Sequence, residues 1–306
     1  MPVTLIENFR AVFYTPFYAA FAIGAFDAEG VEVRLQMSAA ADKTLAGLLS
    51  GAGNVSWGGP MRLLHALDEN PASGLVGFCE VVGRDPFYLI GRAPNENFRM
   101  NDLVGKTLAV VSEVPTPWYC LQHDIRLAGM DPAQLKRTPA RGMGENAALL
   151  RAGEIDVIQV FEPFAQQLVD EGAGHIWYAA ASRGPTSYTT LNTTRAFIER
   201  DPDTVLRMTR AMYRTQRWIA AHDGRALAEA IASYMPDVPM KTLADACSGY
   251  MASGIWNVNP IQQGAGLEWL RDAMLACNAI RRKIRFEDVA DMRFAEQVMR
   301  EGLRST

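Results

Sequence analysis

Three sets of residues in this chain have the types and spacing from which recognition or catalysis is built. The first is Trp57-Gly58-Gly59. Consecutive glycines let a backbone approach another molecule closely, and an indole adds a flat apolar face with one donor. Phe9, Phe13, Tyr14 and Trp118 supply further aromatic faces, with core packing as the alternative for each, Trp57 included. The second set is a pair of carboxylates, Glu80 and Glu162. Such a pair can act as acid and base, yet no nucleophile accompanies it, because Ser56 and Ser112 have no base at a motif spacing. It reads better as acceptors for an amino or ammonium group. Glu162 also reads as an acidic residue at the start of a helix over 163–171. The third set is His65, His123, His175 and His222 with Cys79, Cys120, Cys247 and Cys277. They show no metal spacing and no CxxC, so neither a metal nor another cofactor is expected and the cysteines read as small buried hydrophobes.

The elements that position these residues follow from the hydrophobic pattern. Short β-like runs at 3–6, 31–35, 55–57 and 74–82 alternate with helical patterns at 16–26, 42–50 and 60–67, which predicts a sheet covered by helices. A second set begins with the extended run 87–91, continues through 107–111 and 155–161, and carries helices at 115–127, 144–151 and 163–171. After Tyr188 the pattern turns helical, with a long helix predicted at 195–221 and others at 226–234, 240–253, 264–275 and 294–302. A helical block of this kind needs a sheet to pack on, so the chain is expected to return to the first lobe. The division is therefore 1–90 plus 188–306 for one lobe and 91–187 for the other.

Composition narrows the role further. The chain has 306 residues, 49% hydrophobic and 21% charged, with a net charge of −4, which suits two packed lobes and offers no basic surface for nucleic acid. No apolar run reaches the ~18 residues of a membrane span, so no membrane insertion is expected. The first residues carry no basic and apolar leader pattern.

In order and spacing, several segments resemble a known family. They are Pro16-Phe17-Tyr18-Ala19-Ala20 leading to Gly24-Ala25-Phe26-Asp27-Ala28-Glu29-Gly30-Val31, and Val55-Ser56-Trp57-Gly58-Gly59-Pro60. Asp85-Pro86-Phe87-Tyr88-Leu89, Gly105-Lys106-Thr107-Leu108-Ala109, Leu149-Leu150-Arg151-Ala152-Gly153-Glu154-Ile155-Asp156-Val157 and Glu162-Pro163-Phe164 complete the set. Over nearly its whole length the chain resembles the type II periplasmic binding proteins, in the branch that binds sulfonates, nitrate, taurine and thiamine-pyrimidine precursors. The resemblance implies an α/β, two-lobed fold of mixed sheets flanked by helices with a helical C-terminal block. It also implies a binding protein rather than an enzyme, working as a monomer with an ABC permease. The address is periplasmic where a leader is removed and cytoplasmic otherwise, the latter suiting a sensor or enzyme on the same fold. One enzyme of this fold, the fungal-type thiamine pyrimidine synthase, has a substrate-bonded lysine four residues before a histidine. Met61 stands there here, four before His65.

In α/β lobes ligands sit beyond the carboxyl ends of strands. The expected ligand-binding residues are Asn8, Phe9, Phe13 and Tyr14 after the first strand, and Ala40 and Asp42 after the second. Trp57, Gly58 and Gly59 follow the third strand, with His65 on the next helix, and Glu80 ends the fourth. Pro115, Thr116, Trp118 and Glu162 face them from the second lobe, and Tyr188 lies where the chain returns. No residue is expected to be catalytic. With Glu80 and Glu162 facing one cleft, the expected ligand is a small amine-bearing heterocycle such as a thiamine-pyrimidine precursor; a sulfonate- or nitrate-type anion is the alternative.

Overall fold

The computed structural model describes residues 2–303, the Ala41 side chain excepted. Ten strands form two five-stranded mixed sheets. They are β1 (Val3–Glu7), β2 (Val33–Met37), β3 (Val55–Gly58), β4 (Leu75–Val82), β5 (Tyr88–Gly91), β6 (Thr107–Ala109), β7 (Lys136–Arg137), β8 (Val157–Val160), β9 (His175–Ala179) and β10 (Thr189–Thr194). The first sheet has the order β2-β1-β3-β10-β4 and the second β7-β6-β8-β5-β9. In each sheet four strands run in one direction, three of them paired in parallel, and the strand delivered from the other lobe pairs antiparallel on both sides. The mixed α/β architecture thus matches the expectation.

Sheet membership moves the first crossing earlier than residue 90. All four residues of β5 pair with β8 and β9, so Tyr88 and its neighbours belong to the second sheet. A Cβ at Gly91 would run into the Trp177 ring of β9, which is why the strand ends on glycine. β10 was not expected as a strand. Its sequence, Thr-Thr-Leu-Asn-Thr-Thr, lacks an apolar pattern, yet it is buried between β3 and β4 with Leu191 opposite Trp57. The ladder on both edges satisfies its backbone, and the hydroxyls find local acceptors, such as Thr193 Oγ1 donating to the Asn54 carbonyl at 2.6 Å.

The C-terminal block begins with a break rather than one long helix. Helix Arg195–Arg200 ends before Asp201, and helix Pro202–Ala220 restarts there. Proline lacks the N–H a continuous helix would use and pushes its predecessor out of helical geometry. Asp201 caps the restart, accepting from Thr204 N at 3.2 Å. Val205, Met208, Met212, Thr215 and Ile219 face the core, as the periodicity predicts. Helix Gly264–Ala276 packs on both Pro60–Glu69 of the first lobe and Thr116–Leu127 of the second. Cys79, Cys120 and Cys247 are buried free thiols, while Cys277 is half-buried. Among the described residues no helix is long and apolar enough to cross a membrane.

Two crossing segments, 83–87 and 180–188, join the lobes. They are hydrogen-bonded to each other: Ala180 N donates to Phe87 O at 2.9 Å, Thr186 N to Gly83 O at 2.8 Å and Tyr188 N to Val82 O at 2.8 Å. Arg183, on the second crossing, ion-pairs with Asp85 on the first at 2.6 Å and with Asp124 on helix Thr116–Leu127. Its guanidinium also lies 4.7 Å from the Trp269 ring of the first lobe. Asp85 is fully buried, and Phe87 N donates to it at 3.0 Å. Removing one partner of a buried ion pair strands the other charge in a low-dielectric site. Arg183→Ala is therefore expected to destabilise the protein by about 3–5 kcal/mol, read as a lowered midpoint in urea unfolding. A loss below about 1 kcal/mol, the range of an exposed pair, would show that this clasp is dispensable.

Candidate functional site

The cleft between the lobes is built from strand-end loops. After β1, Asn8 organises the turn: its Oδ1 accepts from Phe9 N at 2.9 Å and its Nδ2 donates to the Tyr14 hydroxyl at 2.9 Å. After β3, Gly59 leads into helix Pro60–Glu69, whose proline at the first turn suits the missing donor there. A Cβ on Gly59 would lie 3.2 Å from the Tyr188 carbonyl, so the glycine lets this turn sit against the second crossing. Opposite stands the segment from Glu113 into helix Thr116–Leu127.

These loops enclose three adjoining spaces. An inner one of about 20 Å³, room for a single water, is lined by Asn8, Phe9, Phe13, Tyr14, Gly59, Thr116 and Tyr188 together with Met61, Arg62 and Val114. An outer cavity of about 580 Å³ shares Met61 and Arg62 with it and adds Ala40, Asp42, His65, Glu69, Glu113 and Pro115. This volume falls within the usual range for small-molecule sites. A third cavity, about 450 Å³, adjoins the inner space at Phe9. Aromatic contacts close the floor across the lobes: Phe161, just after β8, lies 5.2 Å from Phe13 and 6.2 Å from Phe9, centroid to centroid.

Most of the expected residues meet here, but five do not line these cavities as expected. Trp57 is fully buried, stacked on Phe17 at 4.6 Å and 6° and edge-on to Tyr18 at 5.8 Å. Its position on β3 points the indole into the core, so it offers no face to the cleft. Gly58 lies behind the cleft, where an added Cβ would sit 3.8 Å from Asn8 and Asn192. Trp118 turns the other way, towards the second lobe's own core, with Arg137 over its ring at 4.5 Å.

The two carboxylates are engaged elsewhere. Glu80 accepts from Ser187 Oγ at 2.5 Å, Asn257 Nδ2 at 2.7 Å and Gln263 N at 3.3 Å, so it ties the second crossing to the C-terminal block. Glu162 accepts from Gln166 N at 2.8 Å, the helix-start role. Its own N–H donates to the Tyr250 hydroxyl at 2.9 Å. Burial pushes each carboxyl up to about 7, and Asp170 adds to the rise at Glu162. The expected pair of acceptors facing the cleft is therefore replaced by two structural carboxyls.

Sequence reasoning missed Arg62. It lies three residues before His65 and so on the same helical face, a spacing that was available as a signal. Its guanidinium makes no hydrogen bond or ion pair among the described residues, although it is half-buried on the wall shared by the inner and outer spaces. Desolvation lowers its pKa from the ordinary arginine value, opposed by the nearby Tyr14 and Asp42. The Tyr188 hydroxyl, lining the inner space, is buried and has no partner among the described residues. Burial raises the pKa of both Tyr14 and Tyr188, so they remain protonated donors. Burial lowers that of His65, which favours its neutral form. The arrangement thus presents one unpaired cation, phenolic donors and aromatic walls. Among the described residues there is no group of three His, Cys, Asp or Glu that could hold a metal ion.

A model of the NMT1-like family matches residues 93–233. Across 301 residues the chain is 23% identical to the "Putative binding protein YtlA" of Bacillus subtilis (strain 168), covering 98% of this chain and 90% of that one. The periplasmic aliphatic sulphonate binding protein SsuA from Escherichia coli superposes with a TM-score of 0.77 at 12% identity, over 94% of this chain and 97% of that chain. The desulfurization enzyme DSZB superposes with a TM-score of 0.71 at 16% identity, over 98% of this chain and 99% of that chain. These likenesses establish the type II binding-protein fold that the sequence motifs resemble.

Trp57→Ala is expected to cost about 3–5 kcal/mol of stability, as for a large core aromatic; unchanged unfolding with weakened ligand binding would return the indole to the cleft. Glu80 makes a signed prediction about pH. Its folded pKa lies above its unfolded value, so between about 4.5 and 7 the folded state holds the extra proton. Stability from this group is present below that window and lost as pH rises through it. Glu80→Gln should flatten the fall in thermal midpoint between pH 5 and 8 by a few degrees. An unaltered pH profile would show that Glu80 does not titrate there.

Proposed function

We propose that the chain is a solute-binding protein of an ABC-type uptake system that closes its lobes over a small organic molecule with an anionic head. The observation that carries this reading is the unpaired Arg62 guanidinium on the cleft wall beside the unpartnered Tyr188 hydroxyl. A half-buried cation with no ion pair or hydrogen bond in contact is unfavourable, and an oxyanion entering the cleft would relieve it with charge-assisted hydrogen bonds. The likeness to an aliphatic sulphonate binding protein points to the same ligand chemistry. It also supports a permease as partner and a periplasmic address.

The fold supports closure. The crossing segments are few and hydrogen-bonded to each other, as in hinge-bending binding proteins. The inner space is too small for an organic ligand in the present arrangement, so a ligand must enter with the lobes parted and the aromatic floor opened.

An amine-bearing heterocycle would find carboxylate acceptors at the mouth, where Asp42, Glu69 and Glu113 line the outer cavity. That is a second reading, and the two separate cleanly. Thermal-shift screening should show stabilisation by organic sulfonates or carboxylates, because a ligand selective for the folded state raises its midpoint. Arg62→Gln should weaken that binding roughly 10–100-fold, the loss of a hydrogen bond to a charged group, with the unliganded midpoint unchanged or raised. Stabilisation by aminopyrimidines alone, insensitive to Arg62→Gln, would establish the amine reading instead.

A further inference from the structure

The cavity adjoining Phe9 has a lining unlike that of the other two spaces. Phe9, Met143, Phe161, Phe164 and Met235 make most of its wall, contributed by both lobes and by the C-terminal block. Its two charged residues are already engaged. Arg10 donates to the Glu7 carboxylate at 3.3 and 3.2 Å, and Glu113 accepts from Met143 N at 2.8 Å. None of its lining residues has an unpartnered buried polar atom among the described residues, so an occupant need bring no hydrogen-bonding group. At about 450 Å³ the space suits a ring system or a chain of several carbons.

Phe9 stands between this cavity and the inner space, lining both, just as Arg62 lines both the inner and the outer space. The Phe9 ring is half-buried and stacks on Phe161 across the lobes at 6.2 Å and 18°. Parting the lobes separates these two rings, because one follows β1 and the other follows β8. A molecule anchored at Arg62 would then reach the third cavity past Phe9.

We infer that this third cavity is the compartment for the apolar portion of the ligand, and that Phe9 is the specificity-determining residue that sets how large a portion is admitted. The inference rests on the anionic-head reading for the anchor, and on the apolar lining alone for the compartment. The ligand class is then an amphiphilic organic anion with an extended or flat tail, rather than a bare inorganic oxyanion.

The test uses methanesulfonate and hexanesulfonate as matched probes, titrated by calorimetry, and uncharged N-phenyl-1-naphthylamine as a fluorescent apolar probe. Hexanesulfonate should bind at least about tenfold tighter, since each buried methylene favours transfer from water. Met235→Trp, which fills the cavity, should reduce that preference to within about twofold and remove most of the naphthylamine brightening. Met143→Phe is a milder filling variant should the first fail to fold, and circular dichroism checks both. Phe9→Ala should strengthen binding of the bulkier naphthalenesulfonate relative to hexanesulfonate. Equal affinity for the two alkanesulfonates, or brightening that survives in the filling variants, would overturn the compartment. Sulfonates that fail to bind, with brightening still lost in Met235→Trp, would overturn the head-group reading at Arg62 and leave the compartment standing.

Discussion

A guanidinium buried where the two lobes meet holds this architecture together. Arg183 sits on one crossing segment, neutralises Asp85 on the other and Asp124 on a second-lobe helix, and lies against Trp269 of the first lobe. Four parts of the chain far apart in sequence thus converge on one planar cation, which suits the forked geometry of arginine better than the point charge of lysine. Burying three charges is unfavourable unless each is paired and hydrogen-bonded. Here Phe87 N completes Asp85 and the Tyr178 hydroxyl donates to Asp124 at 3.1 Å. The network therefore tolerates few geometries, and the two crossings are held in register.

The neighbouring Glu80 plays a comparable part for the other side of the second crossing. Its carboxyl gathers Ser187, Asn257 and Gln263, while Gln262 Nε2 donates to the same Ser187 hydroxyl at 2.7 Å. Ser187 has a positive φ of 47°, an uncommon conformation for a non-glycine residue. This side-chain network surrounds that residue, and Tyr188 follows it into the cleft. The residues that hold the crossing thus also set where the Tyr188 hydroxyl, unpartnered among the described residues, sits.

Within the cleft, the division of labour is chemical. Arg62 and the phenols offer donors, the aromatic floor offers contact area, and the mouth is acidic. The floor rings bury each other across the lobes in the present arrangement. The likeness to both a sulphonate binding protein and a desulfurization enzyme shows that the fold admits binding and turnover alike. Function must therefore be argued from the site, and here the site is arranged around charge and shape.

The amino-acid pattern by itself determined seven of the ten strands among the described residues, β7, β9 and β10 excepted, together with most of the helices, the two-lobed plan and the loops that reach the cleft. Those are local properties: a period of two or 3.6, a proline opening the helix after Gly59, and aromatic residues clustered from Phe9 to Tyr14. Three further features were decided by tertiary structure. β10 is a strand because β3 and β4 leave a gap with unpaired edges, and a Thr-rich segment has no hydrophobic period to announce it. Trp57, Glu80 and Glu162 lie at the strand ends where sequence places them, but the end of a strand does not fix which face a side chain takes. Neighbours distant in sequence, Phe17 for Trp57 and Ser187 for Glu80, hold the first two away from the cleft, while Gln166 N, four residues on, holds Glu162 at the start of its own helix. Arg62 is the converse case. Its spacing from His65 marks a helical face, but only the assembled lobes show that this face meets the cleft and that, among the described residues, no carboxylate comes within ion-pair distance of it.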